Sequence, residues 1–180
     1  MKGSIPLNKP SNFAVVTLIL IATSACQSGI NSSGATETVP VRLVYHHQQC
    51  LSDTSQIELI QDAAALTRWW QPFTRQQLPA KPLPPDLAAI DFDQLTVFIV
   101  SMGSQPNAGY SIELHDDQAS VQGADLTIPA TWKEPAPDMM VAQIMTRPCA
   151  VITVPVKRYE TVKARDQQGN TLAETPISPE

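Results

Sequence analysis

From Asp91 onward the chain is a succession of short apolar or alternating runs, each cut within a few residues by turn formers. That punctuation constrains the fold more than any other feature of the sequence. Residues 95–100 (LTVFIV) form a dense apolar run of the kind a central strand needs. The run ends in Gly103, Pro106, Asn107 and Gly109. Tyr110, Ile112 and Leu114 then alternate onto one face, and Asp116-Asp117 turns the chain. Leu126, Ile128, Ala130 and Trp132 alternate again, before a Pro-rich loop over 133–138 (KEPAPD). Further strands are predicted over 141–146, 150–154 and 158–164, with Gln168-Gly169-Asn170 as a hairpin turn.

The front of the domain differs. Residues 41–45 (VRLVY) and 56–60 (QIELI) read as strands. Asp62 is placed to cap a helix, since its carboxylate can accept from the unpaired first-turn N–H groups. Ala63, Leu66, Trp69 and Trp70 follow at helical spacing, giving one apolar stripe that ends near Phe73. Residues 79–85 (PAKPLPP) cannot continue a helix and read as an extended crossing. One short helix followed by six or seven strands predicts a mainly β single domain, as a β-sandwich or a strongly curved antiparallel sheet.

The N-terminus carries an export signal. Lys2 and Lys9 precede an apolar run over 13–22 (FAVVTLILIA), then the small residues Thr23, Ser24 and Ala25 ahead of Cys26. The run is about half the roughly 20 residues needed to span a bilayer. Residues 23–26 resemble a bacterial lipobox, with Thr23 where leucine is usual. The resemblance implies cleavage before Cys26 and lipid on its thiol; cleavage by an ordinary signal peptidase is the alternative. Gln27 after the cysteine implies the outer membrane, facing the periplasm. The expected organisation is a signal over 1–25, a polar tether over 26–39, a β-rich domain over 40–173 and a loose tail over 174–180.

Charge narrows the partners. The whole chain has a formal net charge of −5, and removing the signal takes two lysines and no acid. Lysines and arginines are scattered singly, which argues against nucleic acid, whose binding needs clustered cations. Of three cysteines, Cys26 is assigned to lipid, and two remain. In an oxidising envelope Cys50 and Cys149 are expected to pair.

No catalytic or metal constellation emerges. His46 and His47 are adjacent on a predicted strand and so point to opposite faces, and His115 is the only other histidine. No nucleophile elbow is present, and Asp116-Asp117 reads as a solvated turn. The sequence therefore predicts a non-enzymatic protein without a cofactor or a metal. Two loops stand out as candidate binding elements. One contains Pro106, Asn107, Gly109 and Tyr110; the other is Arg147-Pro148 at the head of a strand. Gly109 permits close backbone approach and the prolines stiffen both loops.

Those loops carry a family likeness. Ile90-Asp91-Phe92, the strand 96–100, Gly103, then Pro106-Asn107-Ala108-Gly109-Tyr110-Ser111-Ile112, and finally Arg147-Pro148-Cys149-Ala150-Val151-Ile152-Thr153-Val154-Pro155 run in order. Over about 90–169 the chain resembles the C-terminal domain of the PrcB family, which is named for an accessory lipoprotein of an exported protease complex. Asn107 and Ala108 replace the Thr-Gly of that family's usual loop. The resemblance implies an accessory β-domain on a lipoprotein. The same two loops are similar to those of chagasin-type cysteine peptidase inhibitors, although Cys149 stands where those have an aromatic residue.

Three readings follow. The first is a lipid-anchored binding module that docks an envelope protein, a peptidase or its substrate. The second is direct peptidase inhibition, and the third an envelope-assembly role in which both loops are merely turns.

Overall fold

The computed structural model describes residues 35–75, 79 and 81–177. The export signal, Cys26 and most of the predicted tether lie outside the described residues. The chain forms β1 (Thr36–Pro40), β2 (Arg42–His47), β3 (Ser55–Ile60), helix α1 (Ala63–Trp70), a 3-10 turn (Gln71–Phe73) and helix α2 (Pro85–Ala88). There follow β4 (Leu95–Met102), β5 (Ser111–Leu114), β6 (Gln118–Gln122), β7 (Asp125–Lys133), β8 (Cys149–Pro155), β9 (Thr161–Arg165) and β10 (Thr171–Pro176).

Two sheets pack face to face as a β-sandwich. One has the order β2-β8-β4-β3; the other runs β1-β6-β7-β9-β10, with β5 also paired to β7. Strand period decides what each residue buries. Phe98, Val100 and Met102 of β4, with Ala150, Ile152 and Val154 of β8, point into the core between the sheets. The intervening Val97, Ile99, Cys149 and Val151 point the other way, against Leu66, Trp69 and Trp70 of α1 and Leu87 of α2. The four-stranded sheet is thus covered on both faces, which explains why β4 reads as a continuous apolar run. Phe98, Val97, Val151 and Ile152 are fully buried. Asp62 caps α1 as expected, with Oδ1 accepting from Ala65 N–H at 2.6 Å.

Several boundaries differ from the sequence expectation. The tether predicted over 26–39 gives way at Thr36, because β1 pairs along β6 and buries Val39 between the sheets. The tail predicted to be loose from Glu174 stays in β10 to Pro176, where Glu174 lies opposite Lys163 and ion-pairs with it at 3.3 Å. The expected single helix has a second companion, α2. Pro85 stands in its first turn, where a missing N–H costs nothing. β6 has no counterpart in the sequence expectation, although Ala119 and Val121 alternate onto the core face.

The strand predicted over 141–146 is an irregular loop joined to the fold by an isolated bridge at Thr146. Its apolar residues fall on both parities, so no single face can be buried by pairing. The strand predicted over 158–164 starts only at Thr161. Tyr159 turns inward instead, and its hydroxyl donates to the Pro155 carbonyl at 2.9 Å.

Among the named strands, one pairing departs from the antiparallel rule. β7 and β9 run parallel, because the chain crosses to the other sheet as β8 between them.

Candidate functional site

The two candidate loops meet. Gln105 and Thr146 exchange backbone hydrogen bonds, N to O, at 2.8 and 3.0 Å. Thr146, itself buried, donates its hydroxyl to the Asn107 carbonyl at 2.9 Å, and Ala108 N–H donates to Ala142 O at 3.0 Å. The Asn107 side-chain Oδ1 is buried without a hydrogen-bond partner. Gly109 sits at φ +107°, and a Cβ there would meet Pro135 and Val141 at 3.0 Å. Its conformation and its crowding both require glycine.

Arg147 is held from three directions. Its N–H donates to Gln48 O at 2.9 Å, its carbonyl accepts from Cys50 N–H at 2.8 Å, and its Nε donates to Asp53 Oδ1 at 2.5 Å. Ser104 adds a hydroxyl to the same oxygen at 3.0 Å. The Arg147 hydrogen bond, then that of Ser104, holds the Asp53 carboxyl below the usual carboxylate range. Two residues later the disulfide joins Cys149 to Cys50, as the cysteine count predicts. Gly103, at φ +78°, lies so close to Asp53 and Thr54 that a Cβ would stand 2.8 Å from the Thr54 carbonyl carbon.

The six residues singled out from sequence are not equivalent. Pro106 and Gly109 are exposed and Arg147 is half-buried. Tyr110 packs against the core between the sheets, and Pro148 is buried, with its carbonyl taking the Met102 N–H at 2.9 Å. Packing takes Pro148 out of reach of a partner. What sequence reasoning missed lies beside them. Met139, Met140, Ile144 and Met145 are exposed on the 139–145 loop, Met140 completely, and Leu51 is exposed on the neighbouring turn. The side-chain amide of Gln49 donates to Met145 O at 3.1 Å, tying that loop to the turn bearing Cys50 and Leu51. Exposed apolar clusters of this kind mark contact surfaces more often than chance. The available signal was the run of apolar residues over 139–145 with no consistent strand face.

The histidines do not converge. His47 is half-buried with its ring 4.5 Å from Phe73, and burial lowers its pKa. His115 instead faces the Thr131 hydroxyl at 3.3 Å. Among the described residues no cluster of His, Cys, Asp and Glu could hold a metal ion, and no helix is long and apolar enough to cross a membrane. Asp116 acts as a turn residue, accepting from Gln118 N–H at 2.9 Å.

Strand directions place these loops at one end of the sandwich. β4 runs toward it and β8 away from it, and the same end receives the close of β7 and the start of β5. β1 enters from the opposite end, because Thr36 pairs with Gln122 beside the β6–β7 turn.

Comparison with known families agrees with the strand-and-loop order. Residues 96–155 match the family model described as PrcB C-terminal. That segment, a third of the chain, is similar to the PrcB C-terminal family. No curated protein and no solved structure matches the chain. The PrcB C-terminal segment runs from β4 to the end of β8, so it contains both central strands and both loops. It is narrower than the resemblance read over 90–169. Asp53 and Cys50, which fix Arg147 and Cys149, lie outside it.

Proposed function

We propose that the chain is a non-catalytic docking module, anchored to the outer membrane through lipid on Cys26, which binds an envelope protein in or near a protease complex. The observation that carries this reading is the junction of Gln105 with Thr146, which gathers two stiff loops and an exposed apolar segment at one end of the sandwich. The PrcB C-terminal match is compatible with an accessory role beside a protease. Contact would be made by Pro106, Gly109 and Arg147 together with Met139, Met140, Ile144 and Met145. Methionine suits such a surface because its flexible thioether adapts to the partner's shape.

The test compares pull-downs from the native envelope using wild type, Arg147→Ala and Met140→Asp. Met140 is fully exposed, so its substitution leaves the fold intact. A docked partner should be lost or bound at least tenfold more weakly, as for a truncated hot-spot residue. Unchanged capture by both variants would leave the envelope-assembly reading in place.

The second reading is inhibition of a papain-like peptidase. What favours it is the adjacency of Pro106, Gly109 and Arg147 at one end of a sandwich, in the chagasin-type order. Burial of Pro148 and commitment of Cys149 to a disulfide weigh against it. Stoichiometric slowing of a papain-like enzyme would support inhibition over docking.

A further inference from the structure

The end of the sandwich opposite the two loops opens into a cleft of about 570 Å³. Leu59, Leu95, Phe98, Phe92, Val156 and Ile177 line it, so the four-stranded sheet, the segment before β4, the β8–β9 connection and the residue after β10 contribute apolar walls. Sites that enclose a small ligand fall in the range of roughly 300–1,000 Å³ and are built mainly from such side chains. Val156 stands exposed at the cleft, which explains an apolar residue in the surface connection following β8.

The cations on its rim are already paired. Lys157 bonds to Glu37 and Arg158 lies 3.7 Å from Glu160. The Tyr159 hydroxyl is committed to Pro155 O. The recess therefore suits an uncharged apolar chain rather than an anion.

The path of the polypeptide points to which chain. β1 starts at this end, and Glu37, its second residue, contacts Lys157 on the rim. Eight residues separate Cys26 from Ala35, a span of at most roughly 30 Å even when fully extended. A group fixed to Cys26 would therefore sample the cleft at an effective concentration of about millimolar, far above any free lipid in water.

We infer that the cleft seats one of the acyl chains carried on Cys26; the presence of that lipid rests on the lipoprotein reading above. An acyl chain moving between bilayer and cleft exchanges one apolar surrounding for another. A seated chain is withdrawn from the membrane, so occupancy sets how many chains remain as anchors.

The test uses the full chain, lipidated wild type and Cys26→Ser, with the uncharged methyl ester of pyrene-labelled hexadecanoic acid as the probe. Acyl labelling of the wild type is measured separately. Cys26→Ser should bind one probe per chain saturably, and lipidated wild type at least tenfold more weakly because its own chain competes. Val156→Asp in the Cys26→Ser chain should weaken the probe at least tenfold with an unchanged melting temperature. Val156→Trp, which fills the mouth without adding charge, should do the same. Equal probe binding by labelled wild type and Cys26→Ser would overturn the proposed occupant. Absence of saturable binding, or indifference to both Val156 variants, would overturn the cleft itself while leaving lipidation intact. Probe binding with no acyl label on the wild type would overturn the lipoprotein reading and, with it, this occupant.

Discussion

Arg147 donates from Nε to the Asp53 carboxylate at 2.5 Å, joining residues 94 positions apart in sequence. Asp53 precedes β3 and Arg147 precedes β8, so the pair clamps the start of both strands at the loop end. The clamp fixes a candidate contact residue from below, while Arg147 remains half-buried rather than projecting freely.

This pair predicts an acid response. The Asp53 carboxyl is held below its ordinary value, first by Arg147 and then by Ser104. Its contribution to stability is therefore present above the unfolded carboxylate range of about 4 and is lost as pH falls through the lower folded value. NMR of the Arg147 Nε–H should report release of the clamp below about pH 4. Asp53→Asn should remove most of that titration.

The disulfide should dominate the response to reductant. It closes a loop spanning 99 positions, for which chain entropy gives about 4 to 5 kcal/mol. Folded protein with Cys26 lipidated or replaced should show no reactive thiol until reduced. Cys50→Ala should lower the melting temperature by several degrees, and a folded domain with two freely titrating thiols would contradict the bridge.

Gly103 and Gly123 form a controlled comparison. Both have positive φ, at +78° and +64°, but only Gly103 has backbone within 3 Å of an added Cβ. Gly123→Ala should cost about 1 kcal/mol from conformation alone. Gly103→Ala must also push Thr54 aside, so its cost in denaturant unfolding should be distinctly larger.

Tyr159 predicts an alkaline limit. Burial, then the nearby Glu37 charge, raises its phenol to about 12. The folded state therefore keeps a proton that the unfolded chain gives up near pH 10. Stability from this group is full below about pH 10 and is lost as pH rises to about 12, by up to roughly 2 kcal/mol. Absorbance at 295 nm should show a late-titrating component that Tyr159→Phe removes, and the same substitution should flatten the alkaline loss.

Much of the fold was legible because local signals and burial agreed. Residues 95–100 read as a central strand since both faces of β4 are covered, and the Asp62 cap lay in plain view. The misses have two causes. β1 looked like tether until β6, remote in sequence, paired with it, whereas Tyr159 looked like strand until its hydroxyl reached Pro155 only four residues back. The two loops were identifiable from their Gly and Pro residues. Their exposed neighbours Met139 and Met140 were not, because exposure depends on 141–146 failing to find a strand to pair with.

The parallel register of β7 with β9 carries a consequence for the order in which the domain can be built. A chain threaded outward from its N-terminus delivers β1 long before β6, its neighbour in the sheet among the described residues. β7 likewise waits for β9, which arrives only after β8 has passed through the opposite sheet. Neither sheet can close as a series of local hairpins, so loop-closure entropy must be met before the pairings return stability. Such a topology keeps the polypeptide slack through most of its passage and commits it to structure late, once the final third has emerged. A slow, end-loaded folding step of this kind would suit the export proposed for this chain, in which the polypeptide crosses a membrane before it acquires its shape.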